Sequence, residues 1–505
     1  VTNTFNVFPG TAAISDDTTA IGVYPNPFVV EAAWDGGTAT SHKIYFNHLP
    51  ANCLITIYTQ SGDVVTSFNH ETEASANSTI DWYKLNGGNP ETRVLVEIAN
   101  SLGIYTIVVD PNPSSPAKKL ASESYEFDGF RIDQIVELAK KIKINGVLVG
   151  VADILVAPYQ AICEKLQLPC YATQEIVKAF CSKDGFKAVC EKYNVQDIPG
   201  YYINEISNLD NLPNLDFPLM VKPVDNGGGV GMRICNDKND LQNSITNGIQ
   251  FSKKGGVLVE QYMNCDDIFA YYTFKDGKGY LSAIADRITT KKQGNLSPVC
   301  IGAIYPSKYT NQFISKINPL MVAFFEKLGI KNGVLNLQFF VKNNQYYAYD
   351  PGFRLQGEAP HIHILEINKF DHRKMLLNFA LTGSLGVDDF NEKNDYLFKN
   401  GYASTIWVLL KSGTIGVVKG LDIIKSDDSV SFVMERFKEQ DTIEPNMVGT
   451  EKQVFARIYL QCIEFEVLKE KISKFQQILE INDINGENMI IDWVDPSTIT
   501  NYKLS

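Results

Sequence analysis

The chain has 505 residues, of which 58 are acidic and 46 are basic, and its formal net charge is −12. This length predicts three or four domains, each with its own core. The acidic charge argues against nucleic acid as the main partner, and no apolar run is long enough to span a bilayer. Nine cysteines occur without a CxxC pair, which is typical of a reducing compartment.

Residues 1–95 are predicted to form an all-β module. Apolar segments at 54–59 and 64–68 flank a Gly-Asp turn, which indicates a β-hairpin. Trp34 and Trp82 are expected core aromatics. With the stretch LPANCLITIYTQSGDVV, these features resemble the immunoglobulin-like sorting or stalk domains of secreted bacterial surface proteins. The resemblance implies a structural or protein-contact β-sandwich in a secreted or surface context, with sugar binding as the alternative.

An α/β segment is predicted for residues 96–172. The strand GVLVGV at 146–151 follows a helical pattern at 132–142, an alternation that indicates a Rossmann-like lead-in domain with a parallel sheet. Asp153 follows the carboxyl end of that strand, where open α/β sheets bind ligands. Val94-Leu95-Val96 is followed at once by EIANSLG, which is interpreted as the end of the first helix. The first turn of this domain is therefore expected to be missing.

The most informative stretch is 217–232, FPLMVKPVDNGGGVGM. An apolar strand ends in Lys222, and Gly227, Gly228 and Gly229 follow in a loop without side chains. Backbone N–H groups approach oxyanions closely where Cβ is absent, and the lysine supplies a point charge. The spacing differs from the Walker pattern and from GxGxxG. We interpret the loop as a polyphosphate site, with a plain glycine-rich hairpin as the alternative.

Three further segments follow in order. VLVEQYM at 257–263 is an apolar run that contains an acid, and LNLQFF at 335–340 is a strand with a lone glutamine. YYAYDPGFR at 346–354 places an aspartate and an arginine after another strand. With these motifs the chain resembles the ATP-grasp superfamily, close to its carboxylate–amine ligases and biotin-carboxylase-like members. The resemblance covers roughly residue 97 to the C-terminus.

This resemblance implies the remaining domain organisation. An α+β ATP-grasp fold of two lobes is expected over 173–385, with Thr173 and Ser182 as the N-caps of its first two helices. An α+β cap is expected over 386–505, where strands precede a helix with an apolar stripe. The fold class is thus multidomain, with an all-β sandwich, a Rossmann-like domain, an ATP-grasp fold and a cap.

The resemblance also implies the site residues, position by position. Those implied for ATP are Lys183, Lys222, Gly227, Gly228 and Gly229 at the phosphates, Glu260, Gln261, Tyr262 and Met263 at the adenine, and Asp267 near the ribose. Gln338 and Asp350 match the positions that hold Mg²⁺ or Mn²⁺. Arg354 matches the arginine that faces the carboxyl substrate or its acyl phosphate. ATP and a divalent cation are therefore the implied cofactors.

The second metal position departs from the family pattern. Family members usually have Glu-x-Asn there, whereas this chain has Asp350-Pro351-Gly352 and lacks the asparagine oxygen. Because Mg²⁺ takes six oxygens in near-ideal octahedral geometry, water or phosphate would have to fill the vacancy. Weaker metal binding, or one ion fewer, is the expected consequence.

The predicted function is an ATP-dependent ligase. Transfer of the γ-phosphoryl group to a small carboxylate gives an acyl phosphate, which an amine displaces to form an amide or peptide-like bond, with ADP and phosphate as the other products. Lys183, Lys222 and Arg354 would supply the charge that such a transfer requires. The resemblance implies a cytoplasmic enzyme part, and ligases of this kind are often dimers.

Three other functions stay open. The run Arg354-x-Gln356-x-Glu358 resembles that of biotin carboxylases, where the glutamate is the base toward bicarbonate. Those enzymes carry another arginine in the following domain, and GYASTIW at 401–407 offers none, so we place this function second. A nucleotide-binding protein without turnover and a surface or assembly protein led by its β-sandwich are the others. His361 and His363 have no third ligand nearby, so satisfied imidazoles are preferred over a metal pair.

Overall fold

The computed structural model describes five strands before residue 84, and then residues 90–113, 115–204, 216–224, 231–252, 256–291 and 298–501. The chain divides into two compact units, Val1–Asn77 and Ser78–Ser505. In the described residues, no helix has the length and apolar character needed to cross a membrane.

The first unit contains two antiparallel strand pairs among its described residues. Their strands are β1 (Gly22–Tyr24) with β2 (Tyr45–Asn47), and β3 (Asn52–Tyr58) with β4 (Val64–Glu71). The β3–β4 pair agrees with the predicted hairpin. The sandwich and its immunoglobulin-like character gain no support and stay predictions, and Trp34 lies outside the described residues.

The second unit opens with a four-stranded parallel sheet of order β7-β6-β5-β8. Its elements are β5 (Thr79–Tyr83), α1 (Pro90–Ser101), β6 (Tyr105–Val109), β7 (Glu123–Tyr125), α2 (Ile132–Ile142), β8 (Gly146–Val149), a 3₁₀ turn (Asp153–Leu155) and α3 (Val156–Leu166). The structure shows the parallel sheet and its helices. The narrower Rossmann-like assignment stays a prediction.

This sheet corrects the predicted junction. Trp82 belongs to β5, which pairs in parallel with β6, so the α/β part begins before residue 96. Val94-Leu95-Val96 lies inside α1, and Leu95, Val96 and Ala99 are buried at helical spacing. Val94 and Val96 are β-branched and therefore also fit a strand. A run this short has no period that distinguishes a strand from a helix. Strand β5 and helix α1 therefore precede β6, and the turn predicted to be missing falls on residues 84–89, outside the described residues.

A four-stranded antiparallel sheet follows, of order β11-β10-β12-β9. The elements of this part are α4 (Gln174–Phe180), α5 (Lys183–Tyr193), β9 (Gly200–Ile203), β10 (Leu219–Pro223), β11 (Arg233–Cys235), α6 (Lys238–Phe251) and β12 (Val257–Gln261). Both predicted N-caps are confirmed. The Thr173 side chain accepts a hydrogen bond from Ile176 N, and Ser182 does so from Gly185 N.

An eight-stranded sheet of order β17-β16-β13-β14-β15-β18-β22-β20 forms the largest layer, and every pairing in it is antiparallel. Its first half contains β13 (Asp266–Lys275), β14 (Lys278–Thr289), β15 (Cys300–Tyr305), α7 (Thr310–Gln312), a π-helical turn (Phe313–Ile317), α8 (Asn318–Lys327), β16 (Gly333–Lys342) and β17 (Gln345–Gly352).

The second half of the sheet comes from the predicted cap. The remaining elements are α9 (Pro360–Asn368), α10 (His372–Thr382), α11 (Phe390–Lys393), β18 (Tyr402–Leu409), β19 (Gly413–Lys419), α12 (Leu421–Lys425), β20 (Val430–Glu435), β21 (Thr442–Ile443), β22 (Val454–Cys462), α13 (Phe465–Ile478) and β23 (Glu480–Asp483). Three 3₁₀ turns lie at Pro445–Met447, Glu451–Gln453 and Pro496–Thr498. Strand β18 pairs with β15, so one continuous sheet crosses the predicted boundary at 385/386.

Candidate active site

Two lysines meet at one buried carboxylate. Lys222 lies one residue before the end of β10, close to its predicted place, and its Nζ lies 2.8 Å from Oε2 of Glu260 on the neighbouring strand β12. Lys187 Nζ lies 3.5 Å from the other oxygen, Oε1, and also pairs with Asp197. Lys222 and Glu260 are both almost fully buried, so their charges compensate each other away from water.

Lys183, one turn before Lys187, occupies a different place. It is the first residue of α5, and its backbone N–H donates to Val224 O at 3.3 Å. Its charge acts on Asp153 at the end of the parallel sheet, where it opposes the burial that raises the pKa of that carboxyl. No motif in the sequence singled out Lys187, although its i+4 spacing from Lys183 places both on one helix face.

The remaining residues predicted to hold the nucleotide are only partly described. Gly227, Gly228 and Gly229 lie outside the described residues, between the paired strands β10 and β11. The hinge continues from β12, where Gln261 N donates to Pro199 O and Tyr262 N to Pro218 O. The Tyr262 N–H is thus engaged, and Met263 is buried beside it. Their contacts with adenine stay predictions.

Asp267, predicted near the ribose, lies in a buried polar network. Tyr349 Oη donates to its Oδ1 at 2.8 Å, and Arg287 Nη1 lies 2.8 Å from its Oδ2. Arg287 Nε also donates to Glu358 Oε1 at 3.3 Å. Burial raises the pKa of both carboxyls, and the guanidinium opposes that rise. Arg287 therefore joins two predicted site residues that are 91 positions apart in the chain (358 − 267).

Lys222, Lys187, Glu260, Asp267, Arg287 and Tyr349 are called the nucleotide end below, after the ligand that the resemblance implies for three of them. Lys222 Nζ also lies 5.5 Å from the centre of the Tyr349 ring, which stacks on Phe340 at 4.3 Å between ring centres. This cation–π contact brings the lysine of the four-stranded sheet to the eight-stranded sheet. Apart from its place near the end of an apolar strand, nothing in the sequence indicated that Arg287 belongs to the site.

The two predicted metal positions lie on adjacent strands. Gln338 is buried on β16 and pairs with Tyr349 on β17. Asp350 is the extra residue of a β-bulge, with φ of +40°, and it is exposed. Bulges redirect side chains, and left-handed backbone at a non-glycine residue costs roughly 1–3 kcal/mol, so it persists where the surroundings impose it.

These residues fit a metal that a nucleotide shares. In the described part of the chain, no group of three or more His, Cys, Asp or Glu side chains is placed to hold an ion. Gln338 and Asp350 offer one amide and one carboxylate, which are oxygen ligands that Mg²⁺ accepts. Mg²⁺ usually binds through one or two protein groups together with substrate phosphates and water, which matches this small donor set.

Arg354 forms a second buried cluster next to the bulge. Its guanidinium pairs with Asp153 and bonds Gln356 Oε1, and Nη1 also donates to Leu355 O at 3.0 Å. A Cβ on Gly352 would lie 3.2 Å from Gln356 Oε1 and 3.3 Å from Arg354 Nη1. Glycine at 352 therefore leaves room for this cluster. Asp153 follows the carboxyl end of β8, the edge at which parallel sheets are expected to bind ligands.

Glu358 lies beside an arginine that the sequence analysis did not find. Arg457 on β22 donates to the carbonyl of Gly357, and its guanidinium lies 4.2 Å from the centre of the Trp407 ring. Residues 401–407 contain no arginine, as stated above, but Trp407 and Arg457 are direct partners across β18 and β22. The charge of Arg457 also opposes the burial that raises the Glu358 pKa.

The histidines behave as buried neutral groups. His363 Nε2 lies 2.9 Å from Thr405 Oγ1, and burial lowers its pKa to about 3. His361 is buried, with its pKa held well below the usual range. The expectation of satisfied imidazoles agrees with His363, while His361 Nδ1 has no hydrogen-bond partner among the described residues.

Comparison with known proteins matches one segment of the chain to a family model. Residues 182–361 match the family model described as "Carbamoyl-phosphate synthase L chain, ATP binding domain". The carbamoyl phosphate synthase large chain of Clostridium botulinum is 24% identical over 276 residues, which are 53% of this chain and 25% of that protein. The chain thus spans about a quarter of the length of that relative.

Solved structures resemble the larger part of the chain. An L-amino acid ligase from Bacillus licheniformis has a TM-score of 0.68 at 16% identity, over 81% of this chain and 99% of that one. The biotin carboxylase domain dimer of a Hydrogenobacter thermophilus 2-oxoglutarate carboxylase, in complex with MgADP, ADP and bicarbonate, has a TM-score of 0.64 at 17% identity, over 80% and 90%. At these identities the likeness concerns the fold.

The protein therefore contains an ATP-grasp domain, with ligases and biotin carboxylases among its structural neighbours. Relatives of this class bind ATP or ADP with Mg²⁺, in agreement with the implied cofactors. Arg354, Asp153, Gln356 and Glu358 are called the acceptor end below.

Proposed function

We propose that the protein is an ATP-dependent carboxylate–amine ligase that forms an amide or peptide-like bond through an acyl phosphate. One observation carries this proposal. The bulge at Asp350 lies only four residues before Arg354, which is paired with Asp153 at the ligand-binding edge of the parallel sheet. A carboxylate that receives the γ-phosphoryl group beside this bulge would lie between the predicted metal positions and the guanidinium of Arg354. A guanidinium is well suited to bind a carboxylate.

The reaction proceeds in two transfers. A carboxylate oxygen attacks the γ-phosphorus, the bond to the β–γ bridging oxygen breaks, and ADP leaves. The amine nitrogen then attacks the acyl carbon, phosphate leaves with the electrons of the C–O bond, and the nitrogen loses a proton. Mg²⁺, when bound, would neutralise triphosphate charge, with Gln338 and Asp350 as its protein ligands.

The charged side chains have separate tasks in this scheme. Lys222 and Lys183 neutralise phosphate oxygens, and Arg354 orients the carboxylate and then its acyl phosphate. Glu358 Oε2 has no hydrogen-bond partner among the described residues, and burial raises its pKa. Glu358 is therefore the base that we assign to the amine proton.

Phosphate release from MgATP tests this proposal. Purified protein is assayed against pools of amino acids and small carboxylates, with Lys222→Ala as the inactive variant and exposed Lys331→Ala as its matched control. Release that requires both a carboxylate and an amine, and that Lys222→Ala abolishes, supports a ligase. Nucleotide binding without release from any pool would contradict it and favour a non-catalytic binding protein.

A biotin-carboxylase-like activity is the second candidate. The observation in its favour is Arg457, which lies beside the Gly357–Glu358 segment and supplies the guanidinium that residues 401–407 lack. Bicarbonate would replace the carboxylate, and Glu358 would act as its base. Bicarbonate-dependent phosphate release that no amine stimulates would favour this activity over the ligase.

A further inference from the structure

One row across three strands of the large sheet contains two polar side chains without partners. Asn336 on β16 lies opposite Tyr271 of β13 on one side and opposite Gly352 of β17 on the other. Asn336 is 1% exposed, and neither its Oδ1 nor its Nδ2 has a hydrogen-bond partner among the described residues. The Tyr271 hydroxyl is in the same condition.

The amide of Asn336 projects from the face of the sheet that contains the site. Directly opposed residues of an antiparallel pair place their side chains on the same face, and so do residues two apart on one strand. Asn336 therefore shares a face with Gln338, two residues further along β16. It also shares the face on which a Cβ at Gly352 would meet Arg354 and Gln356.

An amide buried without partners indicates a missing ligand. Native proteins satisfy the great majority of buried polar side chains, because leaving one unpaired has an appreciable desolvation cost. Leucine or valine would fill the space in β16 without that cost. The packing of the sheet therefore does not explain why residue 336 is polar.

We propose that Asn336 Oδ1 is a ligand of the nucleotide-bound divalent cation and replaces the side-chain oxygen that Gly352 cannot supply. Opposed Cβ atoms in an antiparallel pair are only about 4.5–5.5 Å apart, so an amide at 336 can reach the region that one at 352 would occupy. The ligand set is then Gln338, Asp350 and Asn336, completed by phosphate oxygens and water. Because Gly352 has no side chain, the space next to it stays available to the guanidinium of Arg354.

This proposal rests on the nucleotide site of the proposed function, but its test measures binding rather than turnover. Mn²⁺ affinity is measured by electron paramagnetic resonance in the presence of saturating ADP, for the wild type and for Asn336→Leu and Asn336→Asp. Asn336→Leu is expected to weaken Mn²⁺ binding tenfold or more, whereas Asn336→Asp retains it or tightens it. A change of less than threefold in Asn336→Leu overturns the proposal.

Tyr271→Phe is the matched control, because it removes the other unpartnered group of the same row. It is expected to leave Mn²⁺ affinity unchanged. Equal weakening in Tyr271→Phe and Asn336→Leu would indicate a buried water shared by the two groups, and the assignment of Asn336 as a ligand would fall. Loss of ADP affinity without Mn²⁺ in Asn336→Leu would likewise overturn it, since the amide would then contact phosphate.

Rescue gives a second, independent measurement. In the double variant Asn336→Leu with Gly352→Asn, the new amide lies on the same face, and Mn²⁺ affinity should recover towards the wild type. Thermal melting of Asn336→Leu checks its folding, and the midpoint should hold or rise because an unsatisfied amide has been removed. We expect this recovery of Mn²⁺ affinity whether or not the protein turns over as a ligase.

Discussion

The two ends of the site differ in how their charges are satisfied. At the nucleotide end, Lys222 and Lys187 share Glu260, and Arg287 and Tyr349 share Asp267. At the acceptor end, Glu358 Oε2 and Arg354 Nε have no partners among the described residues, and neither do the Asn336 amide on β16 and the Tyr271 hydroxyl on β13. The first end is arranged by its own ion pairs, and the second retains polar atoms that a ligand can satisfy.

This difference has a consequence for binding. A nucleotide that takes Lys222 must replace the 2.8 Å ion pair with Glu260, so part of its electrostatic attraction is offset. An acceptor that reaches Glu358 satisfies a group that is already desolvated. We therefore expect substitutions of Arg287 and Tyr349 at the nucleotide end to act mainly on stability, and substitutions at the acceptor end to act mainly on catalysis.

Replacing Arg287 should give the largest effect. Arg287→Met leaves Asp267 and Glu358 as buried carboxylates without their cation, and removing one partner of a buried pair costs about 3–5 kcal/mol. The free energy of unfolding, measured by urea titration at pH 7.5, should fall by that amount. Because burial already raises both pKa values, the loss should shrink at lower pH as the carboxyls become protonated.

Arg233→Met is the control for this experiment, since Arg233 is exposed and should change stability by roughly 0.5 kcal/mol or less. A loss below about 1 kcal/mol for Arg287→Met would show that the two carboxyls do not depend on the guanidinium. The nucleotide end would then not be held by ion pairing.

Arg354→Lys should have the next largest effect, and on turnover. Lysine cannot reproduce the two-pronged contact of a guanidinium with a carboxylate or acyl phosphate. Acceptor-dependent phosphate release should fall about 10²–10³-fold, the range found when a transition-state donor is removed. ADP affinity, measured by calorimetry, should stay within roughly threefold of the wild type, because each 1.4 kcal/mol is tenfold and no ADP contact is lost.

Exposed Arg131→Lys provides the matched control and should leave both quantities unchanged. If Arg354→Lys weakens ADP binding as much as it slows phosphate release, Arg354 belongs to the nucleotide end. The division between the two ends would then be wrong at its most important residue.

The sequence predicted features that depend on local pattern. Two such features are the place of Lys222 near the end of β10 and the helix N-caps Thr173 and Ser182. Each depends on residues that are close to it in the sequence. Asp153 was placed by a general rule for parallel sheets, and the structure pairs it with Arg354. The order of the motifs also indicated the ATP-grasp domain, which the family match supports.

Residues set by pairing between distant strands could not be predicted in this way. Arg287 meets Glu358, and Arg457 meets Trp407, through a register that no short window of sequence contains. The same holds for Asn336 and Gly352, whose pairing depends on a bulge at Asp350. The first half of helix α1 was misassigned for a local reason, because Val94-Leu95-Val96 also fits a strand.

Tyr349→Phe should produce a smaller loss at the nucleotide end. The ring can keep its stacking on Phe340, while Asp267 loses one of its two donors. A hydrogen bond to a charged group contributes about 1.5–3 kcal/mol, and we expect the low end because Arg287 remains. Urea titration of Tyr349→Phe against Tyr347→Phe measures this directly, since the Tyr347 hydroxyl donates to the exposed Gln345 side chain rather than to a buried carboxylate. Equal stability of the two variants would contradict the paired network.

The smallest effect concerns the neutral histidines next to the acceptor end. Burial lowers the pKa of His363 and His372 to about 3, against an ordinary value of 6.5. A histidine whose folded pKa is lowered stabilises the fold above pH 6.5, and this contribution is lost as the pH falls, because only the unfolded chain takes up the proton. Between pH 7.5 and 5.5, each such histidine should remove about 1.4 kcal/mol of stability.

His363→Gln isolates this contribution. Glutamine can still bond Thr405 but does not titrate, so its loss of stability between pH 7.5 and 5.5 should be smaller than that of the wild type by about 1.4 kcal/mol. The comparison uses the difference between two pH values for each protein, so any packing loss in the variant cancels. An unchanged difference would mean that His363 accepts a proton in the folded state. The acceptor end would then admit charge and water where the structure places a neutral imidazole between Tyr305 and Tyr459.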